Sequence, residues 1–259
     1  MPRFVDRDGV KLAYDTAGNG DPAIVLVHGW AGDRSYVAPQ FAHFAACHAV
    51  VALDLRGHGD SDRPQPGPGV YELDALRDDV LAVSAAAGCD RPVVVGHSMG
   101  GLAALACAAR SGAVRAAVMI DPAPIVNANI KAYLGQAADA VEADDDGSWR
   151  TAFVSGMFLP TDAARRDEIV SGMTTQPPAI AAALVRAMAR FDGASALGAV
   201  EVPLLSIGSA VPNDIAADLR GACPTITIGQ TVGSGHFNQL EVPDQVHAMI
   251  ERFLSINRL

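Results

Sequence analysis

The chain has 259 residues, half of them hydrophobic, with 29 acidic against 19 basic side chains and a formal net charge of −10 at pH 7. That length suits one α/β domain with an insertion and can bury a large core. The negative balance excludes nucleic acid and anionic membranes as partners, and the apolar run from Gly100 to Ala109 is about half of what spans a bilayer.

Residues 3–7 and 10–16 predict a hairpin around Asp8-Gly9, a dipeptide suited to a tight turn. Ala23-Ile24-Val25-Leu26-Val27 is a continuous apolar run ended by His28-Gly29, the pattern of a strand buried on both faces. A second such strand, Ala49 to Leu53, ends at Asp54 and the turn-rich Arg56-Gly57-His58-Gly59-Asp60. A helix over 72–87 follows a Pro/Gly-rich loop, then come a valine strand at 93–95, a helix over 99–111 and a strand at 116–121. Strands alternating with helices at this spacing predict an α/β fold with a mostly parallel sheet covered on both faces. The alternation breaks from Pro122 to about Gly198, where helical patterns occur without a core strand. It resumes with a strand at 203–208, a helix near 214–221, a strand at 225–228 and a helix at 243–254. The 122–198 stretch is therefore expected to be a helical insertion before the last two strands, at the carboxyl edge of the sheet where open α/β sheets bind ligands.

The opening residues lack the apolar stretch of a secretory leader. The four cysteines (Cys47, Cys89, Cys107, Cys223) are scattered, with neither C-x-x-C nor zinc spacing. These features predict a cytoplasmic protein with reduced core thiols. No phosphate-loop or dinucleotide fingerprint is present, and neither a cofactor nor a metal is expected.

Gly96-His97-Ser98-Met99-Gly100 sits between the valine strand and the Ala-rich helix. G-x-S-x-G in a strand-to-helix turn is a nucleophile elbow: the serine stands on a sharp, strained turn, and side chains two residues away on either side would collide. Ser98 is the candidate nucleophile.

With His28-Gly29-Trp30 after one strand, Asp54-Leu55-Arg56-Gly57-His58-Gly59 after the next, the elbow, and Gly235-His236-Phe237 near the end, the chain resembles the α/β-hydrolases that carry a cap domain. The resemblance implies a core of residues 1–121 and 199–259 and a helical cap of 122–198. It also implies a triad in the order nucleophile, acid, histidine. Of the seven histidines, His236 follows the last predicted strand in a Gly-rich loop at the active edge, and it is the candidate base. The family's usual acid follows the strand after the cap, in Gly-x-x-Asp; here that stretch is Gly208-Ser209-Ala210-Val211, and valine cannot orient an imidazole. Two substitutes remain. Asp121 ends the strand before the cap, where some relatives carry the acid, and Asp214 lies three residues beyond Val211; Asp121 is preferred. By the same resemblance the oxyanion would be held by the backbone N–H groups of Trp30 and Met99.

The insertion is rich in apolar residues, so the pocket is expected to be apolar, with Trp30, Ile125, Tyr133, Phe153, Phe158 and Phe237 as candidate lining. Arg165, Arg166, Arg186 and Arg190 are considered for carboxylate recognition, although Arg165-Arg166 reads as helix surface, and the acidic run 142–146 reads as a solvated loop. The expected function is hydrolysis of a small to medium hydrophobic ester or lactone through an acyl-enzyme, with a small-molecule substrate as partner and neither nucleic acid nor membrane. The same fold and triad also serve C–C bond hydrolases, thioesterases and cofactor-free perhydrolases. Others of this fold are small-molecule receptors.

Overall fold

A computed structural model of the chain describes residues 1–123, 128–162, 165–211 and 215–259. Strands β1 (Arg3–Arg7) and β2 (Val10–Ala17) form a hairpin whose turn residues, Asp8 and Gly9, both have positive φ. There follow β3 (Ile24–Val27), α1 (Ala38–Phe44), β4 (Val50–Leu53), α2 (Leu73–Ala86), β5 (Val93–His97), α3 (Met99–Ala108) and β6 (Ala116–Ile120). Among the described residues five helices then intervene: α4 (Ala128–Glu142), α5 (Ser148–Ser155), α6 (Arg166–Met173), α7 (Pro178–Arg190) and α8 (Gly193–Gly198). The chain ends with β7 (Leu204–Gly208), α9 (Ile215–Ala222), β8 (Thr227–Gln230), α10 (Asn238–Glu241) and α11 (Pro243–Ile256).

The eight strands form one sheet in the order β1-β2-β4-β3-β5-β6-β7-β8. The two pairings made by β2 are antiparallel and all others are parallel. Because successive side chains of a strand point to opposite faces, Val25, Val27 and Val94 join one core with Leu102 and Leu105 of α3, while Ile24, Leu26 and Val95 join another with Phe253 of α11. All ten residues of α3 are buried, which explains its run of Ala and Gly: only small side chains let a helix lie close against β5, β6 and α2. Between β6 and β7 the described residues contain helices and no strand, with α4 packed on α7. No helix among the described residues is long and apolar enough to cross a membrane.

Three details depart from the sequence reading. Helix α1 has no counterpart in the sequence reading: it packs through Phe41 and Phe44, but its buried face also carries Gln40, which donates to the Gln239 carbonyl at 2.7 Å. Strand β8 begins two residues later than expected, because Ile226 N–H is taken by the Cys223 carbonyl in a turn. Asp144 is not part of a solvated loop. It is 5% exposed and paired at 2.7 Å with Arg150, which also donates to the Gln176 carbonyl.

The chain runs from β3 outward to β4 and returns on the other side of β3 as β5, so the strand order reverses between β3 and β5. A crevice opens at such a switch point, beyond the carboxyl ends of the strands. The elbow fills it tightly. A Cβ on Gly96 would stand 2.0 Å from the Gly100 carbonyl oxygen, and one on Gly100 would stand 2.4 Å from that of His28. Backbone atoms cannot yield as a flexible side chain does. Gly96→Ala is therefore expected to cost at least about 2 kcal/mol, read as a lowered urea midpoint with unchanged slope; an unshifted midpoint would refute this account of the turn.

Candidate active site

Four strand ends converge on the crevice. His28-Gly29-Trp30 leaves β3, Ser98 leaves β5, Asp121 leaves β6 and His236 lies in the loop after β8. Ser98 has φ 54 and ψ −117, a conformation that costs an L-residue about 1–3 kcal/mol. It is held there by its N–H on the Ile120 carbonyl at 2.9 Å and by its carbonyl, which accepts from Gly101 N–H at 2.9 Å at the start of α3. Among the described residues its Oγ makes no hydrogen bond, so the hydroxyl stays available to a ligand.

Asp121 also has a left-handed backbone, φ 39, which aspartate tolerates better than most residues. Its Oδ1 accepts from Ser209 N–H at 2.8 Å, and its Oδ2 faces His236 Nδ1 at 2.7 Å. Burial works against the Asp121 charge, but the His236 hydrogen bond and charge, with the Ser209 N–H, outweigh it and hold the carboxyl below its ordinary range. A nitrogen facing a carboxylate carries the proton, which leaves Nε2 of His236 as the basic atom. The backbone of His236 is fixed as well: its N–H donates to the Met157 carbonyl at 3.0 Å, and its carbonyl accepts from His97 Nε2 at 2.8 Å.

The other nearby histidines are spacers. His97 is buried with its ring centroid 4.7 Å from that of His236. Burial, then the neighbouring His236, push its pKa down to about 3. A Cβ on Gly29 would meet His97 Nδ1 at 3.0 Å and Ser98 Cβ at 3.2 Å, so Gly29 is what lets the β3 loop approach the elbow. His28 donates from Nδ1 to the Gly29 carbonyl and accepts Leu55 N–H on Nε2, while His58 donates from Nδ1 to the Arg56 carbonyl and accepts Ala31 N–H on Nε2. Each ring is neutral in that arrangement, and burial lowers both pKa values. Trp30 and Met99 N–H groups engage no acceptor among the described residues.

A cavity of about 350 Å³ lies over this cluster. Ser98, Asp121, His236 and Trp30 line its floor; Tyr133, Trp149, Phe153, Val185 and Met188 are among the residues of its roof and walls. Trp149 and Phe153 stack with centroids 5.0 Å apart, and Trp30 is pinned by its indole N–H on the Ala181 carbonyl at 3.0 Å. A small pocket of about 20 Å³ beside it also touches Ser98 and His236, together with Gly29, Tyr36 and Phe237. Of the sequence-proposed lining residues, Trp30, Tyr133 and Phe153 face the larger cavity. Phe237 lines the small one, and Phe158 lines neither but stacks on Phe237 at 4.8 Å. Ile125 and Asp214 lie outside the described residues. Ser209, Met157 and the His97 contact were not singled out from sequence, since each acts through a backbone group or a distant loop.

Among the described residues no lysine or arginine lines the larger cavity. Arg165 pairs with Glu168, Arg186 with Asp139 and Glu142, Arg190 with Glu72, and Arg166 donates to the Ser155 carbonyl. These bonds correct the suggestion that those arginines recognise a substrate carboxylate. Among the described residues no group of three or more His, Cys, Asp or Glu is placed to hold a metal ion.

The sequence profile of the Alpha/beta hydrolase family matches residues 24–249. The 2-heptyl-3-hydroxy-4-quinolone dioxygenase AqdC2 of Rhodococcus erythropolis is 39% identical over 119 residues, 44% of this chain and 43% of that protein. The 2-(acetamidomethylene)succinate hydrolase of Mesorhizobium japonicum is 28% identical over 176 residues, 64% of this chain and 59% of that protein. The chain thus spans less than two thirds of the length of these curated relatives. Among solved structures, Est816, described as an N-acyl homoserine lactone degrading enzyme, superposes with a TM-score of 0.81 at 25% identity, covering 97% of this chain and 100% of its own.

Keeping three buried histidines neutral has a pH signature. Their folded pKa values lie below the unfolded value near 6.5, so as pH falls below about 6.5 the unfolded chain binds more protons. Stability is complete above that pH and is lost on acidification, at up to about 1.4 kcal/mol per pH unit for each histidine. The urea midpoint is expected to fall from pH 7 to pH 5 and to fall less steeply in His97→Gln; parallel slopes would contradict the assignment.

Proposed function

The chain belongs to the alpha/beta hydrolase family, and from that premise we propose that it is a serine hydrolase opening small to medium hydrophobic esters or lactones through an acyl-enzyme. The observation that carries this reading is the 2.7 Å bond from His236 Nδ1 to Asp121 Oδ2, at the floor of a cavity that Ser98 shares.

In the proposed reaction His236 Nε2 takes the Ser98 Oγ proton as Oγ attacks the carbonyl carbon. Asp121 keeps the ring in the right tautomer and stabilises the imidazolium. The N–H groups of Trp30 and Met99 hold the oxyanion; fixed backbone donors need no reorganisation as charge develops. The imidazolium then protonates the leaving oxygen, and a water activated by the same nitrogen releases the acid. The insertion at 122–198 acts as a cap over the core of 1–121 and 199–259, keeping the cavity apolar so that these charges interact strongly.

The substrate side of the reading follows from charge. A cavity without a cation cannot repay the desolvation of a substrate carboxylate, whereas neutral acyl or aryl groups gain from Trp149, Phe153 and Val185. The relative named as a succinate hydrolase acts on an anion of the kind this cavity is ill suited to hold. The dioxygenase relative suggests a second reading, in which His236 deprotonates a hydroxyl of an aromatic substrate and Ser98 is not a nucleophile. It is favoured by the stacked aromatic wall and by a Ser98 Oγ that makes no hydrogen bond among the described residues.

Ser98→Ala is expected to lower kcat on p-nitrophenyl butyrate by at least about 10³-fold with the thermal midpoint retained; full activity would show that Ser98 is not the nucleophile, and the second reading predicts no Ser98-dependent ester hydrolysis in the native protein. Asp121→Asn is expected to cost about 10³–10⁴-fold in kcat and Asp214→Asn little, and the reverse order would move the acid to Asp214. Replacing the butyryl group by hemisuccinyl is expected to lower kcat/KM by roughly 100-fold; equal values would show that a cation reaches the acyl group.

A further inference from the structure

The loop carrying His236 is gripped from the insertion, by the segment that joins α5 to α6. His236 N–H donates to the Met157 carbonyl at 3.0 Å, Gly235 N–H to Asp162 Oδ2 at 2.8 Å, and Thr161 Oγ1 to the Gly233 carbonyl at 3.4 Å. Phe158 stacks on Phe237 one residue beyond the histidine. Asp162 is 2% exposed, and its Oδ2 also accepts Leu159 N–H at 2.8 Å, so one carboxylate oxygen folds its own segment and holds the histidine loop.

We propose that Asp162 is a positioning residue for His236: by clamping the insertion onto Gly235 it sets the backbone from which the imidazole reaches Asp121 and Ser98, so that seating of the insertion and competence of the base are one event. Two further observations support this. A Cβ on Gly235 would lie 2.5 Å from the Met157 carbonyl oxygen and 2.8 Å from Asp162 Oδ2, although Gly235 does not have a left-handed φ. Glycine is therefore required there by the approach of the insertion and not by the turn itself. Met157, whose carbonyl holds His236, also lines the large cavity, so a bound acyl group touches the same segment that fixes the base. A carboxylate suits the task because a single oxygen of it accepts both N–H groups, and those bonds offset its burial.

The inference rests on the reading of His236 as the base, and the test separates the two. Asp162→Ala and Gly235→Ala are expected to lower kcat by about 10–100-fold with a smaller rise in KM, since the change misplaces the base while Met157 is only one of the residues that line the cavity. Asp162→Asn, whose amide oxygen still accepts both N–H groups, is expected to recover most of that loss. An activity-independent readout is the low-field proton resonance of His236 Nδ1–H, assigned by its disappearance in His236→Ala. It should be sharp in the native protein and in Asp162→Asn, and broadened by exchange in Asp162→Ala and Gly235→Ala. An unchanged resonance with unchanged kcat overturns the proposal, as does a raised KM at constant kcat, which would mark a substrate contact. If Asp162→Ala does not fold, Gly235→Ala and Asp162→Asn decide the matter. Retained turnover in His236→Ala would instead defeat the hydrolase reading, leaving the resonance to report on the clamp alone.

Discussion

The Asp121 carboxylate receives one N–H on each oxygen, and those two bonds join three strand ends. Asp121 terminates β6, Ser209 begins the loop after β7, and His236 lies beyond β8, so the carboxylate reaches across β7 to the histidine. The loop after β7, which lacks an acid at Val211, takes part through a backbone N–H instead. Such a bond is insensitive to side chain, yet it fixes the direction in which Asp121 points. Burial makes the arrangement demanding: a carboxylate lifted from water is tolerated only while both partners remain in place. The left-handed backbone at Asp121 and the strained Ser98 are held by neighbours that would lose these bonds if either relaxed.

Around that anion the protein places neutral groups. His28, His58 and His97 are each buried, and they serve as rigid spacers whose hydrogen bonds, not charges, set the loop after β3 and the carbonyl of His236. The cavity continues this pattern, with no basic side chain among the described residues that line it and with Arg150 and Arg186 of the insertion tied to acids elsewhere. In the proposed hydrolysis, a low-dielectric site of this kind would strengthen the few interactions that change, namely those of the imidazolium with Asp121 and of the oxyanion with backbone N–H groups.

Much of this was legible in the sequence because it is local. Continuous apolar strands ended by Gly or Asp announce a parallel sheet, and Gly96 and Gly100 mark a turn whose geometry excludes a Cβ. The break in alternation after Asp121 locates the helices between β6 and β7. What escaped is tertiary. Nothing in the order of residues says that β6 lies beside β5, so the choice of Asp121 over Asp214 leaned on family resemblance; the structure brings Asp121 to His236, while Asp214 lies outside the described residues. Asp144 looked solvated because its partner Arg150 stands six residues away across a helix start. Asp162 and Gly235 are unremarkable letters until the insertion folds back over the histidine loop. Helix α1 was missed because its buried face carries a glutamine satisfied by a distant carbonyl.

The proposed function turns on one chemical event, transfer of the substrate's acyl group to Ser98 Oγ as His236, held by Asp121, takes the Oγ proton. Rapid acid quench of the enzyme during turnover of a p-nitrophenyl ester, followed by peptide mass mapping, tests it most directly. The account predicts that the peptide containing Ser98 carries the added mass of the acyl group within the first turnover. Product release with no acyl adduct on that peptide, or an adduct on another residue, would contradict it.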